Sequence, residues 1–124
     1  MARVLVVDDS MYQRIKIRKF LEAAGYEVIE GKDGEEGLAM AESSSPDCLL
    51  LDLLMPNVDG MQVLHGLREK KISLPVIIHT SDIQEQTRDE CLAYGAVAFL
   101  NKPSKEQEVL AALEKTLGTH GKEA

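Results

Sequence analysis

Apolar residues recur along the chain with two different spacings. Residues 4–7, 48–51, 76–79 and 97–100 are short, nearly continuous apolar runs, the pattern of strands buried on both faces. Between them the spacing becomes helical. Ile17, Phe20, Leu21 and Ala24 fall at i, i+3, i+4 and i+7, one buried face, with Ser10 placed to cap the helix and Gly25 to stop it. Residues 26–30 read as a more polar strand, suited to a sheet edge. Asp33-Gly34-Glu35-Glu36 opens a second helix whose first-turn acids favour the dipole, with Leu38 and Ala41 inward. Residues 43–46 form a loop. A third helix is predicted over 60–69, with Val63, Leu64 and Leu67 buried. A fourth follows Thr80-Ser81-Asp82 and runs to about Tyr94, where Gly95 ends it. Ser104-Lys105-Glu106-Gln107 has the spacing of a capping box, and the fifth helix reaches about Leu117.

The resulting pattern is (βα) five times. It predicts one α/β domain over residues 1–118 and a short polar tail over 119–124, with a parallel sheet covered on both faces. Composition fits that picture. At 124 residues, 44% hydrophobic and 28% charged, the chain can bury one sizeable core. No apolar run approaches the ~20 residues that span a bilayer, so no membrane partner is expected. A net charge of −7 without a basic block argues against direct nucleic-acid binding, which depends on neutralising phosphates. Cys48 and Cys91 have neither CxxC nor zinc spacing and sit in apolar segments. They read as reduced core thiols of a cytoplasmic protein.

Candidate chemistry collects at the strand ends. The first predicted strand ends in Asp8-Asp9, the third in Asp52, the fourth in Thr80, and the fifth is followed by Lys102. Ligands of open α/β sheets bind beyond the carboxyl ends of the strands, and parallel strands bring those ends to one edge. Alone, Asp-Asp at a strand end is usually a turn, but four such ends together form a site. Carboxylates ~5 Å apart repel by about 3 kcal/mol at an effective dielectric near 20, so three of them require a cation. Hard oxygen donors, few in number, suit Mg²⁺. A metal, an ammonium and a hydroxyl can stabilise a transferring phosphoryl group, and an aspartate can accept one as an acyl phosphate. Asp52, on the central strand and facing the Asp8-Asp9 pair, is the best candidate nucleophile. His79, inside a buried strand, reads as a hydrogen-bonded core histidine. His65 and His120 read as solvated, and Arg14 as lying on the exposed side of its helix.

Val6-Val7-Asp8-Asp9-Ser10, Asp52 with Met55-Pro56 and Asp59-Gly60, Thr80, Gly95-Ala96 and Lys102-Pro103 together resemble the receiver domain of two-component response regulators, over nearly the whole chain. The nearest architecture is that of the stand-alone chemotaxis and phosphorelay regulators. The resemblance implies a flavodoxin-like, doubly wound five-stranded sheet of order 2-1-3-4-5. It implies that Asp52 is the phosphoacceptor, a signalling role rather than that of an enzyme. Asp9 is then a direct Mg²⁺ ligand, Asp8 acts through metal-bound water, and the Leu54 carbonyl is a further ligand beside Asp52. Thr80 and Phe99 become a switch pair, Lys102 contacts the phosphoryl group, and the Lys102-Pro103 bond is cis. The implied partners are a sensor histidine kinase or histidine phosphotransfer protein, and a downstream protein bound through the face of helix four, strand five and helix five. Ile83, Gln84 and Thr87 are expected to be exposed on helix four. Two positions depart from common receivers. Ser81 stands where a small residue, often alanine, is usual, and still leaves room for a phosphoryl group. Leu54 is apolar where some fast-hydrolysing members carry a polar side chain, which implies slow self-dephosphorylation.

Three other classes fit less well. A haloacid-dehalogenase-type phosphatase usually carries a second aspartate two residues after its nucleophile. Here that residue is Leu54, and no cap domain fits in the length. A flavodoxin-like carrier would need a phosphate-binding loop where Asp8 and Asp9 repel phosphate, and the chain has no Trp and only three Tyr to stack a flavin. A receiver cut from a DNA-binding regulator or hybrid kinase is the third; the short tail after Leu117 leads us to expect a single-domain protein instead.

Overall fold

The computed structural model describes residues 1–118; the expected polar tail over 119–124, with His120, lies outside the described residues. Strands β1 (Arg3–Val7), β2 (Glu27–Gly31), β3 (Cys48–Leu51), β4 (Val76–Thr80) and β5 (Ala98–Asn101) alternate with helices α1 (Met11–Ala23), α2 (Gly34–Ser43), α3 (Gly60–Glu69), α4 (Glu85–Ala93) and α5 (Glu106–Leu117). The strands form a parallel sheet in the order β2-β1-β3-β4-β5, the flavodoxin-like arrangement. The polar strand β2 is an edge, as its composition predicts.

Alternation along the strands divides the core into two layers. Leu5, Val7, Leu49, Leu51 and Ile78 pack with Ala41 of α2, Val63, Leu64 and Leu67 of α3 and Cys91 of α4. Val4, Val6, Cys48, Leu50 and Ile77 pack with Ile17 and Leu21 of α1 and Val109, Leu113 and Leu117 of α5. Burying each large aliphatic side chain contributes about 1.5–3 kcal/mol, so the three central strands are held from both sides. Three helices carry side-chain N-caps, of which the sequence predicts the one at Ser10. Gln13, Glu36 and Gln62 donate backbone N–H groups to the side chains of Ser10, Asp33 and Asp59. Each such cap stabilises by about 1 kcal/mol.

Several local expectations are corrected. Ala24 is exposed, because α1 ends at Ala23 and the chain turns through Gly25 (φ 96°) before another turn is complete. Both β2 and β5 start one residue later than predicted. Leu38 is only half-buried; the buried residues of α2 are Gly34, Gly37 and Ala41, with Gly34 against Val58 and Gly37 against Val7 of β1. Helix α4 starts at Glu85, so Ile83 and Gln84 precede it. Thr87 is half-buried, and its hydroxyl donates to Asp82 Oδ2 at 3.2 Å. Ser104 is not a cap. The helix begins at Glu106, with Lys105 as N-cap, and the Lys105 N–H donates to Glu108 Oε1 at 2.9 Å.

Arg14 is not a solvated residue either. Its side chain is only 11% exposed, donating to Glu30 Oε1 at 3.0 Å and to the Asp8 carbonyl at 2.6 Å. Arg18 also pairs with Glu30 and Glu22, tying α1 to the edge strand. His65 is exposed as expected, but its ring stacks on Tyr94 at 4.1 Å.

An acidic site at the carboxyl edge of the sheet

Strand register does the placing. Val7 pairs with Leu51 and Leu51 with Ile78, so Asp8 and Asp52, one residue further along, leave the sheet side by side. Thr80 pairs with Asn101, which puts Lys102 one residue past the end of that ladder. The Lys102 N–H donates to the Thr80 carbonyl at 2.8 Å. The Asn101 side-chain amide donates to the Asp82 carbonyl at 2.9 Å.

The carboxylates of Asp8, Asp9 and Asp52 each offer an oxygen within 4.8 Å of the other two. Asp8 and Asp52 are buried and Asp9 is exposed. The Lys102 ammonium bridges the buried pair, at 2.7 Å from Asp8 Oδ2 and 3.3 Å from Asp52 Oδ2. The second oxygens are held by the backbone. Asp8 Oδ1 accepts from the Ser10 N–H at 2.9 Å, and Asp52 Oδ1 from the Leu54 N–H at 3.2 Å. One ammonium facing three carboxylates leaves an excess of negative charge at a point lined by hard oxygen donors. That donor set fits a divalent cation.

Electrostatics of the cluster follow from burial and crowding. Burial pushes the Asp52 carboxyl up; Lys102 opposes that and Asp8 adds to it. For Lys102, burial works against the charge, but the bonds and charges of Asp8 and Asp52 outweigh it, and its pKa is raised. The ammonium is therefore fixed in place as a charge.

The remaining predicted residues lie around this point. Thr80 is fully buried, and its hydroxyl oxygen accepts from the Asp82 N–H at 3.2 Å. Ser81 is exposed. Phe99 is half-buried against the layer that contains α3 and α4. The Lys102-Pro103 bond is cis. Leu54 is 53% exposed beside Asp52.

Three supports escaped the sequence reading. Gly60 lies against Asp52: a β-carbon there would come within 2.5 Å of the Asp52 carbonyl oxygen and 2.7 Å of Leu53 Cα. Arg14 holds the Asp8 carbonyl, a role that only its spacing from Asp8 could have hinted at. His79 is buried and hydrogen-bonded, as predicted, but its partner, the Ser104 hydroxyl at 2.7 Å, lies 25 residues away. Burial and the nearby Lys102 charge push the His79 pKa down to about 4, so the ring is neutral.

Comparison with known proteins agrees with this geometry. Residues 4–114 match the family model "Response regulator receiver domain". The chain is 36% identical over 115 residues to the alkaline phosphatase synthesis transcriptional regulatory protein PhoP of Bacillus subtilis, covering 93% of this chain but 48% of that protein. It is 34% identical over 119 residues to PilH of Pseudomonas aeruginosa, covering 94% of this chain and 98% of PilH. The chain thus spans about half the length of one relative and nearly all of another. Among solved structures, the response regulator TrrA of Thermotoga maritima, in complex with Mg²⁺ and BeF, superposes with a TM-score of 0.85 at 30% identity, covering 94% of this chain and 100% of TrrA. Among the described residues no helix is long and apolar enough to cross a membrane. With the family match running through nearly all of the fold, and the acids it brings together lying where that fold binds ligands, the chain belongs to the receiver domain family of two-component response regulators.

Proposed function

We propose that residues 1–118 act as a receiver in which Asp52 accepts a phosphoryl group from a histidine kinase or histidine phosphotransfer protein. The observation that carries this reading is the convergence of Asp8, Asp9 and Asp52 on one point with Lys102 between the buried pair. Asp52 supplies the nucleophilic oxygen. An O–P bond forms to its carboxylate as the P–N bond of the phosphohistidine breaks, and the imidazole leaves with its electron pair. Lys102 neutralises the phosphoryl oxygens, and the Thr80 hydroxyl donates to one of them. Asp9, Asp52 and the Leu54 carbonyl would hold Mg²⁺, with Asp8 acting through metal-bound water, and the ion would screen charge on the phosphoryl group. The donor set supports that ion, and TrrA carries Mg²⁺ with a phosphoryl mimic.

Output follows from Thr80. Its hydroxyl leaves the Asp82 N–H for the phosphoryl group, and Phe99 fills the vacated space, with Ser81 leaving room beside it. The surface of α4, β5 and α5 changes as a result, a local charge event biasing a two-state element. Ile83, Leu92 and Val97, exposed at 81%, 41% and 53%, supply apolar contacts on that side for a downstream protein. The reading carries a cytoplasmic location, which the free, buried thiols of Cys48 and Cys91 support. The net charge of −7 supports a protein target rather than nucleic acid.

Incubation with acetyl phosphate and Mg²⁺ is expected to add one phosphoryl mass to the wild type and none to Asp52→Asn. Chelating Mg²⁺ is expected to stop the gain. Equal phosphorylation of Asp52→Asn would remove Asp52 from the role.

A further inference from the structure

The loop that carries Lys102 is tied to the end of β4 by a bond unrelated to the sheet. His79 and Thr80 are neighbours on β4 but face opposite layers. Ile78 and Thr80 point toward α3 and α4, and Ile77 and His79 toward α1 and α5. There the His79 Nε2 meets the Ser104 hydroxyl at 2.7 Å. Ser104 stands two residues after Lys102. Its hydroxyl has the residue type and sequence context of a helix cap, yet it is spent on the histidine, and α5 begins without it. The ladder restrains Lys102 at its N–H, through the Thr80 carbonyl. His79 and Ser104 restrain it from the other side. A long flexible ammonium needs both restraints to sit 2.7 Å from Asp8 and 3.3 Å from Asp52.

We infer that His79 and Ser104 are positioning residues for Lys102: their bond fixes the turn after β5 so that the ammonium is held over the acid cluster before a phosphoryl group arrives. This rests on the reading of Asp52 as phosphoacceptor. Neither residue touches the reacting atoms. Preorganised charge of this kind acts on the transfer step, because it need not be reoriented as negative charge develops. Breaking the tie therefore slows transfer and leaves the sheet, the acids and their metal site as they were.

The tie can be cut cleanly. A cavity of about 560 Å³ between α1 and the start of α5 opens onto His79 and Ser104. Water can therefore reach the ring when the hydroxyl is removed, and the buried nitrogen is not orphaned. Ser104→Ala is expected to keep the wild-type melting temperature and Mg²⁺ affinity. Its phosphorylation by acetyl phosphate at saturating Mg²⁺ should fall about tenfold, short of the ~10²-fold that misplacing a reacting group can cost. Ser104→Thr, which retains the hydroxyl, should recover most of the rate. The decisive measurement is a cycle with Lys102→Gln. A residue that acts through Lys102 has no further effect once the ammonium is gone, so Ser104→Ala should be silent in that background. Wild-type rates in Ser104→Ala, or an equal additional loss on top of Lys102→Gln, would overturn the inference. If the wild type itself gains no phosphoryl group on Asp52, the receiver reading fails instead.

Discussion

The two halves of the site are built differently. The acids come from β1 and β3, strands flanked on both sides by other strands and buried along nearly their whole length. Asp8 and Asp52 continue directly from the paired residues Val7 and Leu51, so the ladder itself sets their spacing. Lys102 comes from the other side, where β5 is an edge strand, only half-buried and with one neighbour; Thr80, at the end of β4 beside it, is as buried as the acids' own strands. There, side-chain ties supplement the ladder: Asn101 to the Asp82 carbonyl, and His79 to Ser104. Under the proposed function, in which the site binds a cation in one geometry and responds to a phosphoryl group, this division is useful. Its acids sit where displacement is costly, whereas Phe99 and Lys102 lie on or just past the half-buried edge strand, where fewer contacts have to be remade.

The contrast can be broken first on the rigid side. Gly60→Ala places a methyl group against backbone atoms of Asp52 and Leu53, which cannot swing away as a side-chain tip could. A loss of more than about 3 kcal/mol is expected, at the top of the overpacking range, together with weaker Mg²⁺ binding. Denaturant melts and a metal titration measure both. A Gly60→Ala variant as stable as wild type would mean that the acid half yields more readily than its burial suggests.

On the adjustable side, His79 makes stability depend on pH. Its folded pKa of about 4 lies below the usual 6.5, so the unfolded chain binds the proton more readily. The stability this contributes is present above about pH 6.5 and is lost as pH falls toward 4. Across that window the loss is on the order of 3 kcal/mol. The difference between wild type and His79→Gln, melted at several pH values, isolates it from the carboxylates. Parallel curves for the two proteins would contradict it.

The smallest effect lies at the mouth between the halves. Leu54, 53% exposed beside Asp52, has no polar side-chain atom to hydrogen-bond a water approaching the proposed acyl phosphate. Leu54→Asn is expected to shorten the life of the phosphorylated form several-fold at equal Mg²⁺ saturation, followed as loss of phosphorylated mass. Decay at the wild-type rate would show that the lifetime is set elsewhere.

The sequence alone determined the alternation of five strands and helices, because continuous apolar runs and period-3.6 spacing are local signals contained within each element. It also determined that Asp8, Asp9, Asp52, Thr80 and Lys102 share one edge, since parallel strands with right-handed crossovers leave them nowhere else to go. What it could not determine were partnerships made across the chain. Ser104 had every local mark of a helix cap and bonds to His79 instead. Arg14 had the marks of a solvated helix residue and grips the carbonyl of Asp8. In both cases a polar side chain had a choice between a neighbour in sequence, or water, and a partner brought near only by the folded sheet. Where β5 ends relative to β4, and where α1 lies against β2, decided which partner came within reach, and no local pattern encodes those distances.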